Sequence, residues 1–417
     1  MSASATRIDI YNYPRRLELA LRGLKNNGKI TDANCRLILK FHERSVADGL
    51  STPRLVRYLQ ILSKLAEQLG KDFPDAKKDE IVHLVAQIES QPLSDWTKLS
   101  YKVVLRKFYR WLRHSKNYPK EVEWIKTPSR IRNSILPSDL LTEDDIKSLV
   151  SVATTSRDKA LILTLYDSGC RIGELLSLRI RSVEFDKYGA IFLVTGKTGM
   201  RRVRIIMSTP ALGEWLNVHP NRGDPDSPLW VGEGRGGMIP LRYEAVRALI
   251  QRLADRAGIQ KSVNPHSFRH SRATFLSKRL TEAQMDQLFG WVQGSKMHSI
   301  YVHLTGRDVD GALLSIYGLA QDREEHPTLK VVLCPRCKEP CGPTVDHCPK
   351  CGSPTDPTRL YGLESETEWV DPVMTRLLED TETQQFLVRK IRELRLFNQA
   401  GRAFPQSVDT CQQSHTE

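Results

Sequence analysis

Alternation between apolar and polar residues is confined to one place in this chain, and that confinement constrains its fold more than any other feature. The segments AIFLVTG (190–196) and RRVRIIM (201–207) flank Lys197-Thr198-Gly199, a pattern that predicts a β-hairpin with the lysine in its turn. Elsewhere apolar residues recur three and four apart, as in LVRYLQILSKLAEQLG and SYKVVLRKFYRWLRH, which is the period of an amphipathic helix. The expected fold class is therefore mainly α and multidomain, with one small antiparallel β element. At 417 residues the chain is too long for a single ordinary core.

Punctuation along the chain divides it. A helical bundle is expected over residues 8–117, and a polar stretch with Pro119, Pro128 and Pro137 reads as a linker over 118–138. Thr142 stands at an N-cap position ahead of three acidic residues, a sound start for a second, α-rich domain over 139–322. A cysteine-rich module follows at 331–355. Residues 356–417 hold a last helix, with Leu387, Ile391 and Leu394 at helical spacing, and a polar, loose tail. In the helix around residue 105, Tyr101, Phe108, Tyr109 and Trp111 interleave with Lys102, Arg106, Lys107, Arg110 and Arg113. Those cations either lie along a polyanion or are the solvated face of a helix whose aromatics enter a core.

Charge narrows the choice of partner. With 62 Lys and Arg against 49 Asp and Glu the formal balance is +13, which favours a polyanion through counterion release and steering. No apolar run approaches the ~18 residues of a membrane span, and the amino terminus lacks the apolar core of a secretory signal. A cytoplasmic, nucleic-acid-bound protein without a membrane partner is expected.

Six polar residues then occur in a telling order: Arg171, Lys197, His266, Arg269, Trp291 and Tyr301. Arg171 follows the Gly169 turn signal at the start of a helix, with Glu174 three positions on, close enough to orient its guanidinium. The planar fork of arginine binds two phosphate oxygens and keeps its charge at any working pH. Lys197 at a hairpin tip can swing into a groove. His266 and Arg269 lie one turn apart behind Pro265, a helix opener, and imidazole exchanges a proton near neutrality. Tyr301 offers a phenol, a poor nucleophile unless cations and a proton acceptor surround it. Each residue alone has an ordinary structural use, as a salt-bridge partner, a solvated turn lysine, a cap or core packing. Tyr317 repeats the Ser-Ile-Tyr context of Tyr301, but its apolar flanks Leu313, Leu314 and Leu319 predict buried helix packing.

The Arg-Ile-Gly-Glu motif, the hairpin lysine, His-Ser-Phe-Arg, Phe-Gly-Trp and Tyr301-Val302-His303, in that order between about Leu140 and Leu319, resemble the tyrosine recombinase (phage integrase, Xer-like) family. YVHLTGRDVD followed by a cysteine module is similar to archaeal-type integrases of mobile elements. The resemblance implies a site-specific recombinase that cuts and rejoins duplex DNA through a 3′-phosphotyrosyl intermediate, with no ATP or catalytic metal, as a tetramer on paired sites. It implies a core-binding, SAM-like bundle ahead of the catalytic domain. Arg171 and Arg269 would bind the scissile phosphate, Lys197 would protonate the 5′ oxygen, His266 would help deprotonate Tyr301, and Glu174 would position its neighbours. Trp291 stands where most members have a second histidine; indole keeps one N–H donor but cannot exchange a proton. Two other functions share these residues: a DNA-binding regulator without chemistry, and relaxation of DNA in the manner of a type IB topoisomerase.

Of eight cysteines, Cys334, Cys337, Cys348 and Cys351 form two CxxC knuckles. Four thiolates at that spacing predict one structural zinc ion in a ribbon too small to fold on apolar area alone. Cys341 and His347 inside the loop are the weaker alternatives as ligands, and disulfides are disfavoured outside an oxidising compartment. Arg336, Lys338 and Lys350 at the knuckles could face DNA or another protomer. Cys35, Cys170 and Cys411 read as ordinary thiols.

Overall fold

Five amphipathic helices open the chain: α1 (Tyr13–Lys25), α2 (Asp32–Ala47), α3 (Thr52–Leu69), α4 (Lys78–Ser90) and α5 (Asp95–Leu112). Local chemistry sets their ends. Pro14 and Pro53 sit in first turns, where a missing N–H is harmless. The hydroxyls of Thr31 and Ser94 accept from the backbone N–H groups of Asn34 and Thr97. The computed structural model describes residues 8–128, 137–196, 198–234, 237–292, 294, 317, 328–356 and 379–393.

The bundle closes over its own core, in which Ile38, Leu62, Leu65, Phe73, Leu105 and Phe108 are buried. Tyr101, Phe108, Tyr109 and Trp111 of α5 face inward, Phe73 and Phe108 meeting edge to face at 4.8 Å. Several α5 cations are engaged locally: the Arg106 guanidinium lies 3.8 Å from the Tyr118 ring centroid, and Lys107 Nζ donates to the Tyr58 hydroxyl at 3.2 Å. The proline-bearing segment after α5 returns to this core, because Val122 and Ile125 are apolar at the spacing of one turn and are both buried.

A second core begins with α6 (Glu143–Ser151), capped by Thr142 and Asp145 in a reciprocal box. It centres on α7 (Ser156–Ser168), whose middle, residues 160–166, is apolar but for Thr164 and is buried on all sides. Around it stand α8 (Ile172–Leu175), α9 (Thr209–Asn217), α10 (Tyr243–Arg256), α11 (Pro265–Ser277) and α12 (Glu282–Phe289). The expected hairpin is present as β2 (Gly189–Gly196) and β3 (Gly199–Ile205), with Lys197 and Thr198 between the last paired residues, Gly196 and Gly199. It belongs to a three-stranded antiparallel sheet, β1-β2-β3, with β1 at Val183–Asp186. A second hairpin joins β4 (Val231–Gly234) to β5 (Gly237–Pro240). Neither β1 nor the second hairpin was expected, since strands of four residues are too short for a period to register.

Ahead of α1, Ile8, Ile10 and Tyr11 belong to this second core and not to the bundle. Ile10 is buried there, its carbonyl accepts from Tyr243 N–H at 3.1 Å, and Tyr11 packs on the Tyr243 ring at 5.2 Å. Asp9 fixes the exit to α1 by accepting backbone N–H groups from Tyr11, Asn12 and Tyr13.

Residues from Lys330 onward form a separate compact unit. It contains a short antiparallel pair, β6 (Val332–Leu333) and β7 (Pro340–Cys341), and a terminal helix, α13 (Thr381–Glu393). Among the described residues no helix is long and apolar enough to cross a membrane.

Candidate active site

The polar site grows from the end of α7. Gly169 terminates that helix with φ of +56°, a left-handed conformation that disfavours a side chain. Space forbids one as well: a Cβ there would lie 2.6 Å from Cε1 of Phe289. The chain can therefore turn at once into α8, with Arg171 at its N-cap. Glu174 at the third helical position closes the turn, its Oε2 accepting Arg171 N–H at 3.0 Å and its Oε1 accepting Arg171 Nη1 at 3.0 Å.

Helix α12 supplies the second half. The last carbonyls of a helix have no partner within it and carry partial negative charge, and here they collect arginines. Arg269 Nη2 donates to Phe289 O at 2.6 Å, and Arg171 reaches Phe289 O at 3.4 Å and Gly290 O at 3.3 Å. The two guanidiniums predicted to grip a phosphate thus share one carbonyl. They differ in exposure: the Arg171 side chain is 34 % exposed, whereas Arg269 is 5 % exposed and also donates to Gly169 O at 2.9 Å. Trp291, 7 % exposed, stacks on Phe289 at 5.0 Å and lies 5.9 Å from the Arg269 guanidinium. Thr198, at the hairpin turn, docks on the same helix end through its hydroxyl to Gly290 O at 3.2 Å.

His266 sits one turn ahead of Arg269 on α11, behind the Asn264 cap and Pro265. The residue as a whole is exposed, but partial desolvation of its ring, then the positive fields of Arg269 and Arg171, hold its pKa below the usual histidine value. His270, one turn on, is pushed down to about 4, first by burial and then by His266 and Arg269. Burial opposes the charge of Glu174, yet hydrogen bonds and charge from Arg201, then bonds from Arg171, outweigh it and leave the carboxyl below its ordinary value. Burial pushes the Cys170 thiol up to about 11, in keeping with an inert core cysteine.

Arg171, Glu174, His266, Arg269 and Trp291 are brought together around the end of α12. Lys197 and Tyr301, with His298 and His303, lie outside the described residues. Tyr317 is 75 % exposed, not buried as its apolar neighbours in sequence suggested; a flanking leucine does not decide which face of a ring is covered. Two participants were missed. Arg201 forms the closest contacts to Glu174, and Arg272 holds Asp167 at 3.1 Å while Asp167 accepts from Ile206 and Ser208 N–H, tying α11 and β3 to the end of α7.

Residues 139–307 match the phage integrase family. Tyrosine recombinase XerC of Xylella fastidiosa (strain 9a5c) is 31% identical over 207 residues, which is 48% of this chain and 67% of that protein. The chain belongs to the tyrosine recombinase family. Tyrosine recombinase XerA of Pyrococcus horikoshii is 35% identical over 163 residues, 38% of this chain and 55% of that protein. Across the first relatives the chain spans about half to two thirds of their length. In fold it is similar to the Tn1549 transposon integrase in complex with transposon right end DNA, with a TM-score of 0.54, 15% identity, and coverage of 68% of this chain and 99% of that one.

The carboxy-terminal unit presents the four predicted cysteines as a cluster, all four Sγ atoms within 4.8 Å of one another. Cys334 and Cys351, and Cys337 and Cys348, approach to 3.5 Å, too long for a disulfide at ~2.05 Å and near the roughly 3.8 Å edge of a thiolate tetrahedron around zinc. Lys338 and Gly352, one residue past each knuckle, both adopt positive φ, and each knuckle returns a backbone bond to its first cysteine, Lys338 N–H to Cys334 O and Gly352 N–H to Cys348 O. The donor set fits a metal such as zinc; Cys341, buried nearby, stands outside it.

Gly169→Ala is expected to destabilise the fold by about 1–3 kcal/mol from backbone strain, plus a collision with Phe289 that displaces Arg269 from its carbonyls. Urea unfolding of the variant checks this; an unchanged midpoint would contradict it.

Proposed function

We propose that this protein is a site-specific DNA recombinase of the archaeal integrase type, which breaks and rejoins DNA through a 3′-phosphotyrosyl intermediate. The observation that supports this best is the pair of guanidiniums, Arg171 and Arg269, anchored on one carbonyl at the end of α12 with His266 beside them. A phosphodiester seated there would have its non-bridging oxygens neutralised as charge grows on the pentacoordinate phosphorus. Loss of one such donor costs about 10²–10³ in rate. Tyr301 attacks phosphorus, its proton passing towards His266, while Lys197 protonates the departing 5′ oxygen. The P–O5′ bond breaks as the P–O(Tyr) bond forms, and the reverse steps with a new 5′ hydroxyl rejoin the strand. Trp291 packs Phe289 and Arg269 in place and exchanges no proton.

Within the expected 8–117, helices α1–α5 serve as the core-binding domain on duplex DNA, and 139–322 serves as the catalytic domain, against which Ile8, Ile10 and Tyr11 pack, four protomers acting on two paired sites in the cytoplasm. The formal charge of +13 supports the duplex as partner. One zinc ion held by Cys334, Cys337, Cys348 and Cys351 would supply structural cross-linking to the ribbon over 331–355.

A library of nicked duplexes with a randomised core, incubated with the protein and resolved under denaturing conditions, should yield covalent adducts whose sequencing defines the site. Tyr301→Phe should yield none. Adducts without strand exchange between two such sites would point to simple relaxation, and binding with no adduct to a regulator.

His266 carries its own pH signature. Its lowered pKa keeps the ring neutral and able to accept a proton at pH 7, so single-turnover cleavage should fall as the pH drops below about 6.5, the ordinary value. In His266→Asn that acid limb should vanish while the overall rate drops. A limb that survives the substitution assigns it elsewhere.

Elemental analysis should find one zinc per chain, and none in Cys348→Ser. Chelation should leave 331–355 unfolded in amide NMR spectra, because the ribbon's free energy of folding is its metal-binding energy.

A further inference from the structure

Arg201 is absent from the six-residue order, yet it is a deeply engaged cation of the site. It lies on β3 four residues past the hairpin lysine, on the inward face with Val203 and Ile205. Its side chain is 8 % exposed and every nitrogen has an acceptor within reach. Nη2 and Nη1 meet the two carboxylate oxygens of Glu174 at 2.6 and 3.0 Å, and Nε donates to Leu288 O at 3.0 Å. The surroundings are shaped for this pair. A Cβ on Gly196 would lie 2.3 Å from Glu174 Oε1, and one on Gly290 2.7 Å from Arg201 Nη1.

Charge explains why the pair matters. Glu174, 2 % exposed, also faces Arg171, so one buried carboxylate is shared between a buried guanidinium and a half-exposed one. With both arginines present the trio carries a net +1. Without Arg201 the carboxylate is left with Arg171 alone, and the existing Arg171–Glu174 contact becomes a neutral pair with no second cation to offset the acid.

We propose that Arg201 is a positioning residue for phosphate recognition: by offsetting the charge of Glu174 it leaves the positive charge of Arg171 uncancelled towards the scissile phosphate, and it fastens β3, close to the hairpin turn, to the end of α12. This rests on the recombinase function proposed above. The residue itself touches no substrate.

The test compares two nicked duplexes carrying the recovered site, one with the natural phosphodiester and one with a neutral methylphosphonate at the scissile position. Arg201→Met is expected to slow single-turnover cleavage of the phosphodiester by about 10²-fold, as loss of one oxyanion donor does, with half-saturating protein concentration unchanged. On the methylphosphonate, where less negative charge awaits the fork, the deficit should shrink to about tenfold or less. Arg201→Lys, which keeps a cation against Glu174 but not the fork, should fall between, and it decides the matter if the methionine variant does not fold. Equal deficits on the two duplexes would reduce Arg201 to general packing and overturn the proposal. Wild-type protein that forms no adduct, or Tyr301→Phe that does, would instead overturn the recombinase function and this inference with it.

Discussion

A carboxylate buried to 2 % exposure between two guanidiniums is the interaction on which the rest of the site depends. Removing an ionised glutamate from water is tolerable only when cations and hydrogen bonds surround it. Glu174 obtains them from three places: the backbone N–H and side chain of Arg171 on its own turn, and Arg201 from β3. A local helix start and a distant strand are thereby held in one register. The negative end of α12 completes the arrangement, since its carbonyls accept from Arg171, Arg201 and Arg269 together. The helix end orients positive forks without adding another acid, so the pocket keeps excess positive charge.

The scaffold around this hub answers a packing problem. Helix α7 is buried on nearly every side and ends at Gly169, where the chain must reverse against Phe289. Asp167, just before the turn, is held by Arg272 and accepts backbone groups at the β3–α9 junction, so the helix that carries His266 and Arg269 and the strand that carries Arg201 are both referenced to the same end of α7. Errors in any one element would propagate to both guanidiniums.

Much of this was legible in the sequence where the signal is local. The alternation of β2 and β3, the Thr142 cap, Pro265 at a helix start and the Gly169 turn all depend on neighbours within a few residues, and each stands where expected. The six-residue order also led to residues that converge, as far as Arg171, His266, Arg269 and Trp291 are concerned. Signals that fail are those in which partners are distant. Ile10 is one apolar residue in a polar terminus, and the second core with the Tyr243 amide, more than two hundred positions away, gives it a home. Strands β1, β4 and β5 are too short for a period to show. Arg201 could have been found, because Val203 and Ile205 mark the inward face of β3 and the same alternation puts an arginine there, which demands a buried anion.

By itself the sequence determined the helical character of the chain, the place of its hairpin, the chemistry of the polar set and the tetrahedral potential of four thiols, because periodicity, caps and ligand spacing are properties of short stretches. Tertiary structure alone decided which cation meets which acid. Coulomb attraction between buried groups depends on separations of a few ångströms across elements distant along the chain, and only the folded packing of α7, β3 and α12 makes Glu174 the shared partner of Arg171 and Arg201.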